Sequence, residues 1–416
     1  MPDLAAVGLA LPEILLPARG VDLARWAVVA CDQYTSEPEY WKAAEERVGA
    51  APSALRLILP EVWLGAPDES ERVAAIHAAM RAYLERGVFA PPLRGFAIVD
   101  RSTPHVRSRL GLLVALDLER YEWRAGARAL ARATEATVEE RLPPRMRVRD
   151  GAALELPHVL VLIDDPDRTV IEPAARSAAQ RAPLYDTALE PDAGRVRAYG
   201  VTDAAELGRI AGALERLLDP RAPFLYAVGD GNHSLAAAKQ IWERRKAALS
   251  AGERERDPAR FALVELVNAH DPGLRFEPIH RLVFGAEAQS LAAELARMAP
   301  VGPAAHALRW TAAGSAGELV LSGPRDSLAV AVFQSALDAW LAAHPSARVD
   351  YIHGGDALRR LAERPARVGF FLPPFPRDRL FPTVARDGAL PRKTFSLGES
   401  EEKRFYLEAR RIRSAP

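Results

Sequence analysis

Residues 224–242 read FLYAVGDGNHSLAAAKQIW: an apolar run, a polar turn and then a helical pattern. The apolar run ends at Gly229, and helical spacing begins at Leu235. Four kinds of polar side chain crowd the turn, those of Asp230, Asn232, His233 and Ser234, with Gly231 after the first. Asp-Gly forms turns and Asn or Ser caps helices, so a purely structural turn is one interpretation. That interpretation leaves the imidazole of His233 unexplained.

The other interpretation of this turn is anion binding. A strand that feeds a glycine turn and a helix start leaves backbone N–H groups without partners, and the helix dipole adds partial positive charge there. Gly229 and Gly231 would let a phosphate approach the backbone closely. Asp230 would repel a bare phosphate, so it is better suited to bind Mg²⁺ or to act as a general base. His233 and Lys239 could add positive charge, and local chemistry leaves both interpretations open.

The turn matches no standard nucleotide fingerprint. It is not G-x-x-x-x-G-K-[ST], and Ser234 interrupts G-x-G-x-x-G. A serine hydrolase would need a nucleophile elbow such as G-x-S-x-G, which the chain does not contain.

Composition limits the class of protein. The 416 residues are 49% hydrophobic and 26% charged with zero net charge, so no overall bias toward nucleic acid or anionic membranes is expected. Cys31 is the only cysteine, which excludes an intrachain disulfide and a multi-cysteine zinc site. No uncharged apolar run approaches the ~20 residues of a membrane span, and we expect a cytoplasmic protein. Lysine is rare, so each of the five carries slightly more information: Lys42, Lys239, Lys246, Lys393 and Lys403.

The order of predicted elements indicates the fold class. Strands are predicted at 96–100, 110–118, 158–163, 196–201, 224–228, 262–268, 274–284, 318–323, 327–333 and 368–375. Helices are predicted at 70–86, 207–217, 235–245, 286–298, 334–343 and 354–363. Ser36 and Glu39 form a capping-box pattern that predicts the start of a further helix. Residues 251–258 are predicted to be a charged, solvated connector. Without regular β-α-β alternation, this order favours an α+β fold with a mixed sheet. We expect a core over 1–285 and an accessory C-terminal lobe over 286–416.

A second polar group of residues lies within 264–284. It comprises Glu265, Asn268, His270, Asp271, Glu277, His280 and Arg281. Polar residues at strand ends often form sites, although each one singly is more typical of a turn or cap. Glu265, His270 and Glu277 are therefore secondary candidates for a catalytic acid or base. The two histidines lack the spacing of a zinc motif.

Three further stretches contain polar side chains or a thiol. Arg392 and Lys393 in LPRKTF suit a phosphate, although exposed charges near a terminus often do nothing. Residues 132–151 are interpreted as a solvated, salt-bridged helical face. Cys31 is interpreted as a buried structural thiol, and the following Asp32 as a cap or a catalytic acid.

Five stretches together resemble the bacterial and archaeal family known as domain of unknown function 1015. They are WAVVACDQYTSEPEYW (26–41), RATEATVEERLPPR (132–145), GDGNHSLAAAK (229–239), LVELVNAHDPGLRFEPIHRLVF (263–284) and LPRKTF (390–395). The resemblance spans nearly the whole chain in consistent order.

The turn D-G-N-H-S also resembles the D-G-H-H-R type turn of the ParB and sulfiredoxin-like superfamily, which includes free-serine kinases. This resemblance implies a mixed-sheet core with large insertions, in which residues 230–234 face the phosphates of a nucleotide. Asn232 replaces the first histidine of that turn and Ser234 its arginine, which removes a bidentate phosphate clamp. The candidates to replace this clamp are Lys239, Arg281, Arg392 and Lys393.

Two activities of that superfamily are not expected here. Sulfiredoxin chemistry requires a cysteine at the turn, and the chain has none there. ParB-type DNA clamps carry a helix-turn-helix and a basic surface, which the sequence does not indicate.

The leading hypothesis is a phosphotransferase that uses ATP or ADP with Mg²⁺ and acts on a small hydroxylated metabolite. The candidate catalytic residues are Asp230, which would also bind the metal, with His233, Glu265 and His270. The phosphate-binding candidates are Gly229, Gly231, Asn232, Ser234, Lys239, Arg281, Arg392 and Lys393. The alternatives are a non-catalytic module that senses nucleotide or binds a partner, and a phosphohydrolase that uses the same turn.

Overall fold

The computed structural model describes residues 3–124 and 126–413. The chain divides into two compact units. Unit 1 runs from the N-terminus to Leu274 and resumes at Gly398, and unit 2 is Arg275–Leu397. This division differs from the expected 1–285 and 286–416, because a strand that begins at Phe276 belongs to the sheet of unit 2 and the last segment pairs with strands of unit 1.

Unit 1 contains a large sheet and helices on both of its faces. Its strands are β1 Leu9–Ala10, β2 Glu13–Ile14, β3 Val28–Val29, β4 Leu93–Arg94, β5 Phe96–Ser102, β6 Arg109–Asp117, β7 Tyr121–Glu122, β8 Ala131–Ala133, β9 Leu154–Glu155, β10 Leu160–Ile163, β11 Tyr185–Leu189, β12 Gly194–Val201, β13 Tyr226–Asp230, β14 Phe261–Asn268, β21 Phe405–Tyr406 and β22 Arg410–Arg411. Its helices are α1 Leu23–Trp26, α2 Pro38–Val48, α3 Glu69–Glu85, α4 Leu142–Arg149, α5 Ile171–Ala178, α6 Ala204–Leu217, α7 Asn232–Lys246 and α8 Ala251–Arg256.

Unit 2 is built on a smaller sheet. Its strands are β15 Phe276–Phe284, β16 Ala304–Ala312, β17 Ser315–Gly323, β18 Arg348–His353, β19 Arg367–Phe371 and β20 Phe395–Leu397. Its helices are α9 Ala288–Met298, α10 Ala329–Ala343, α11 Gly355–Ala362 and α12 Leu380–Asp387. The strands are ordered β17-β16-β19-β15-β18, and β20 also pairs with β15.

The large sheet is mixed, which confirms the predicted α+β class. Its order is β11-β12-β5-β6-β14-β10-β13-β8-β7, with β1 on β6. β10 runs parallel to β14, and β13 runs parallel to β8, whereas β10 and β13 are antiparallel. The turn that follows β13 therefore lies beside the segment that follows β8, and beside the beginning of β10.

Both faces of this sheet are buried. Phe96 and Ile98 of β5 belong to one hydrophobic cluster, while Ala97 and Val99 belong to the other. Because neighbouring side chains of a strand point to opposite faces, this alternation shows a layer of packing on each side. Strands such as β10 are apolar along their whole length because both faces of the sheet are covered and no side chain of the strand faces solvent.

Most of the predicted strands and helices are confirmed within a few residues, and three predictions are wrong. Residues 327–333 are not a strand but lead into α10, whose buried Phe333, Leu337 and Trp340 follow helical spacing. A short apolar run does not by itself distinguish strand from helix. Residues 251–256 form α8 with a capping box from Ser250. The helix after Ser36 begins at Pro38 without a side-chain cap.

No helix among the described residues is long and apolar enough to cross a lipid bilayer.

Candidate functional site

The polar turn joins β13 to α7 through a glycine in a left-handed conformation. β13 ends at Asp230, α7 begins at Asn232, and Gly231 between them has φ 77°. A Cβ atom at Gly231 would lie 3.0 Å from Val159 Cγ2 and 3.1 Å from Val159 Cα. The position therefore requires glycine both for its backbone conformation and for its close approach to β10.

The first turn of α7 offers backbone N–H groups to a ligand. Gly231 is the N-cap and supplies no side-chain cap to the helix. The first intrahelical hydrogen bond is donated by the Leu235 N–H to the Gly231 carbonyl, at 3.0 Å. The amides that precede Leu235 have no acceptor within the helix, and the positive end of the helix dipole lies among them. These are the donors that an anion requires.

Asp230 is held by a cation from the last segment of the chain. Lys403 Nζ lies 2.9 Å from Asp230 Oδ2, and the Gly231 N–H donates to Asp230 Oδ1 at 2.9 Å. Burial alone would raise the pKa of Asp230, but the ammonium of Lys403, through its charge and its hydrogen bond, holds the pKa below its usual value. Asp230 is therefore a stable carboxylate and a weak proton acceptor.

The segment after β8 borders the turn, as the parallel pairing of β8 and β13 requires. Thr134 Oγ1 donates to the Val228 carbonyl at 2.6 Å, and the Val138 N–H donates to His233 Nε2 at 3.2 Å. An Nε2 atom that accepts a hydrogen bond carries no proton, so in this arrangement the imidazole of His233 is neutral with its proton on Nδ1.

The solvated, salt-bridged helical face expected over 132–151 is observed only in part: Glu139–Arg141 and α4 are helical, and the exposed Arg147 pairs with Glu69. Arg132 is buried on β8 and lies over the ring of Phe224, at 4.5 Å from its centroid. The segment then continues through the short helix α4, which contributes residues to a cavity beside the first turn of α7.

A cavity of about 130 Å³, the turn cavity, opens against the first turn of α7. Ser234 and Ala237 form its α7 wall, and most of the remaining wall is apolar. The other polar side chains that line it are Cys31, Glu61, Arg145, Arg149, Glu155, His158 and Tyr406. A largely apolar cavity with a few convergent polar groups is the usual form of a small-molecule site.

An ion pair lies in the wall of the turn cavity. Arg145 of α4 contacts Glu61 at 2.5 Å, and each side chain is 14% exposed. Burial raises the pKa of Glu61, and Arg145 offsets this effect only in part. Glu61 is therefore a better proton acceptor than a solvated glutamate, and it lines the same cavity as Ser234.

His158, Tyr406 and Cys31 form a hydrogen-bonded chain beside the turn. The Cys31 N–H donates to the Tyr406 hydroxyl oxygen at 3.2 Å, and that oxygen lies 2.9 Å from His158 Nδ1. When the Tyr406 hydroxyl donates to Nδ1, His158 carries its proton on Nε2. Burial raises the pKa of the Cys31 thiol, so the thiol is neutral, but Cys31 is half-buried and lines the turn cavity, in contrast to the buried residue expected from the sequence.

Three buried polar atoms around the turn lack hydrogen-bond partners among the described residues. They are Thr137 Oγ1, His158 Nε2 and Asn232 Oδ1. Buried polar atoms in folded proteins are nearly always hydrogen-bonded, so a group of such atoms beside one turn is unusual. Of these three residues, His158 lines the turn cavity, so its Nε2 faces a space in which a ligand could complete its hydrogen bond.

Three of the predicted site residues in unit 1 contact groups away from the turn. Lys239 is buried in α7, where its Nζ donates to the Leu118 carbonyl at 2.8 Å and pairs with Glu243. Glu265 is buried on β14 and forms an ion pair with Arg404. His270 Nε2 lies 2.7 Å from Asp164 Oδ1. These residues hold the scaffold together in this structure.

His270 also lies at a different end of the sheet from the turn. Leu160 of β10 pairs with Asp230 on one side and with Glu265 on the other. β14 then continues away from this level to Asn268, and His270 follows that strand.

The remaining predicted cations belong to unit 2. Arg281 is fully buried, donates to Gln334 Oε1 at 2.9 Å and lies over the ring of Tyr351. Arg392 and Lys393 are exposed in the segment before β20. Residues 229, 231, 232 and 234 thus share the turn with Asp230 and His233, whereas these three cations lie in a separate compact unit.

Among the described residues, no group of three or more His, Cys, Asp and Glu side chains is arranged to hold a metal ion.

Comparison with known proteins gives the family. The family model described as "Protein of unknown function (DUF1015)" matches residues 15–358. The chain belongs to this family. The matched range includes the turn, Glu61, Arg145 and His158, and it ends before Lys403. No curated protein sequence matches the chain.

Several solved structures resemble the chain at low sequence identity. A free serine kinase variant in complex with ADP matches 73% of this chain and 92% of its own, at 8% identity and a TM-score of 0.39. A second free serine kinase variant, in complex with AMP, matches with the same coverage at 9% identity and a TM-score of 0.40. SbnI from Staphylococcus aureus, truncated at its C-terminus, matches 72% of this chain and 87% of its own, at 10% identity and a TM-score of 0.38. At identities of 8–10% and TM-scores of 0.38–0.40, these structures do not identify the function of this chain, which is inferred from its own site.

Sequence reasoning missed most of the side chains around the turn. Glu61, Arg145, His158 and Tyr406 line the turn cavity but belong to no motif that includes the turn. The scarcity of lysine in this chain was the one sequence feature that pointed to Lys403. It applied equally to all five lysines and did not predict that Lys403 pairs with Asp230.

Proposed function

We propose that the protein binds the phosphates of ATP or ADP at the 229–234 turn and transfers a phosphoryl group to a small hydroxylated metabolite. The unpartnered buried atoms Thr137 Oγ1, His158 Nε2 and Asn232 Oδ1 carry this proposal, because they surround a turn that already offers helix N-terminal amides. Phosphate oxygens accept hydrogen bonds from O–H and N–H donors such as Thr137 and His158, whereas Asn232 Oδ1 is an acceptor and suits a cation.

The turn would act by positioning and by charge stabilisation. The backbone N–H groups of Asn232 and Ser234 would donate to phosphate oxygens, and His158 Nε2–H would be a further donor. Lys403 would supply a positive charge at Asp230, where the turn lacks an arginine. These effects account for most of the catalysis in phosphoryl transfer, since the protein forms no covalent bond in a direct transfer.

Asp230 and Asn232 would hold Mg²⁺ together with the phosphates. Asp230 is a stable carboxylate, and Asn232 Oδ1 is a buried oxygen without a partner among the described residues, so the donor types fit this cation. Mg²⁺ is commonly held by one or two protein oxygens and the phosphates of the nucleotide. When bound, it would neutralise negative charge on the transferred group.

The acceptor would occupy the turn cavity, with Glu61 as the general base. Glu61 would take the proton of the acceptor hydroxyl, whose oxygen then bonds to the terminal phosphorus as the bond to the leaving nucleotide breaks. Asp230 is less suited to this role because Lys403 favours its charged form. A cavity of about 130 Å³ admits only a small acceptor.

The test is nucleotide consumption by the purified full chain. Incubation with ATP or ADP, Mg²⁺ and a panel of small hydroxylated metabolites is expected to give a phosphorylated product, detected by ³¹P NMR. Nucleotide binding without turnover would favour the sensor, and phosphate release without an acceptor would favour the phosphohydrolase. Failure to bind nucleotide at all would reject the proposal.

A further inference from the structure

A second and larger cavity lies along α4 and α7, and it is lined by arginines. Its volume is about 420 Å³, within the usual range for a small-molecule site. Five arginines line it: Arg147, Arg149, Arg244, Arg245 and Arg413. Among the described residues that line it, Asp150 is the only acidic one, whereas Met146, Ile241 and Ile412 supply apolar surface. We call this space the arginine cavity.

The guanidinium groups of the arginine cavity are only partly neutralised. Among the described residues, Arg244 has no hydrogen-bond or ion-pair partner. Arg245 uses Nε for Asp257, at 2.7 Å, and Arg413 approaches Asp150 only to 3.6 Å.

The arginines of α4 are neutralised more completely. Arg147 directs Nε and Nη2 to the same Glu69 oxygen, and Arg149 pairs with Glu155 at 2.7 Å. Unused donors therefore remain mainly on Arg244, Arg245 and Arg413.

The helix dipole explains part of this charge. Cations are common in the last turn of a helix, and Arg244 and Arg245 lie in the last turn of α7. Arg413 is on neither helix, yet it lines the same concave space with an apolar surface beneath it. The dipole of α7 therefore explains neither the cavity nor the convergence of Arg244, Arg245 and Arg413 on it.

We propose that the arginine cavity binds a small phosphate monoester, with the phosphate on Arg244, Arg245 and Arg413 and the organic part on the apolar surface. Guanidinium groups match phosphate oxygens in geometry and keep their charge at every physiological pH. A phosphate monoester carries nearly two negative charges and three strong acceptor oxygens. Guanidinium groups from two elements, Arg244 and Arg245 of α7 and Arg413 of the last segment, suit this tetrahedral group better than a planar carboxylate.

The arginine cavity is separate from the turn cavity, although the same helices border both. Ser234 and Arg244 are ten residues apart on α7, which corresponds to about 15 Å along the helix axis. Arg149 lines both cavities. A ligand in the arginine cavity would thus be a second ligand, and its binding does not depend on the proposed function of the turn.

The experiment is calorimetric titration of the full chain with phenyl phosphate, a phosphate monoester with an apolar body. The combined substitution Arg244→Gln and Arg413→Gln is expected to weaken binding by about tenfold or more, since each removes a charge-assisted donor. Arg209→Gln, an exposed arginine of α6, is the matched control and is expected to leave affinity unchanged. Affinity is expected to fall as sodium chloride is raised.

A substitution at the turn distinguishes the two cavities. Ser234→Asp places a negative charge in the first turn of α7, which repels phosphate there but is compatible with a helix start. Binding retained in Ser234→Asp and weakened in the arginine variant supports the proposal. It is overturned if Ser234→Asp also loses binding, if the arginine variant binds normally, or if the unaltered protein does not bind phenyl phosphate.

Discussion

Lys403 and Asp230 form an ion pair, 2.9 Å between Nζ and Oδ2, that joins the last segment of unit 1 to the turn at the start of α7. The adjacent Arg404 pairs in the same way with Glu265 of β14. Because Leu160 pairs with both Asp230 and Glu265, the two carboxylates occupy one level of the sheet across β13, β10 and β14. Two consecutive cations of one segment therefore neutralise carboxylates on two strands.

Removing the ammonium of Lys403 is expected to lower both stability and nucleotide binding. Lys403→Met leaves Asp230 without its cation, and an unsatisfied group of this kind costs about 1–3 kcal/mol. The free energy of unfolding, measured in urea, reports this loss. The matched control is Lys42→Met, because the pair of Lys42 with Glu39 is 55% and 80% exposed and is expected to contribute under about 1 kcal/mol.

The stability difference between the unaltered protein and Lys403→Met is expected to depend on pH. The pKa of Asp230 in the folded protein is lower than in the unfolded chain, where it is about 3.9. Its contribution is therefore complete above about pH 4 and is lost as pH falls through the folded pKa. Unfolding curves from pH 7 downward should show a constant difference that shrinks below about pH 4. A difference that grew on acidification would contradict the pairing.

Gly231 is expected to be intolerant of a side chain. Gly231→Ala places a Cβ in a left-handed conformation and close to Val159, and we expect a loss of about 1–3 kcal/mol in the free energy of unfolding. Gly208→Ala is the control, because Gly208 lies within α6 and its added Cβ would meet nothing within 4 Å. Alanine there should stabilise by about 0.5–1 kcal/mol. Equal effects of the two substitutions would show that the turn has no special backbone requirement.

Glu61 is expected to matter for turnover more than for folding. Glu61→Gln keeps the shape of the side chain but cannot accept the substrate proton, so turnover should fall by about 10²–10⁴-fold. Below neutral pH the unaltered enzyme should become faster as pH rises, through a pKa above the usual value of about 4.3, because burial raises the pKa of Glu61. Glu140→Gln, at an exposed position, is the control. A turnover rate that Glu61→Gln leaves unchanged would exclude this base.

Arg404 is expected to be essential for the stability of unit 1. It pairs with the buried carboxylates of Glu265 and Glu408, and its Nε donates to the Pro157 carbonyl at 2.7 Å. Arg404→Met leaves both carboxylates without a cation, which should cost about 3–5 kcal/mol.

Neutralising the same carboxylates tests the cause of that loss. Adding Glu265→Gln and Glu408→Gln to Arg404→Met should restore part of the stability, because no buried charge then remains unpaired. A triple variant that unfolds as easily as Arg404→Met would show that packing, and not charge, accounts for the loss.

Local sequence predicted the elements that local physics controls. The apolar run before Gly229, the glycine turn and the spacing after Leu235 predicted β13 and α7, because backbone freedom and side-chain periodicity act within a few residues. The same reasoning failed over 327–333, where an apolar run was assigned to a strand. In the structure it enters α10, since tertiary burial determines which periodicity an apolar segment adopts.

The sequence by itself determined the strand-turn-helix unit, the mixed character of the fold and the family. Only the tertiary structure decided that Lys403 neutralises Asp230, that Lys239 points to Leu118, and that Glu61 and His158 reach the turn cavity. The physical reason is that hydrogen bonds and ion pairs act over a few ångströms in space, whereas these partners lie about 70 to 170 residues apart along the chain. No spacing rule relates such residues until the strands of the sheet have paired.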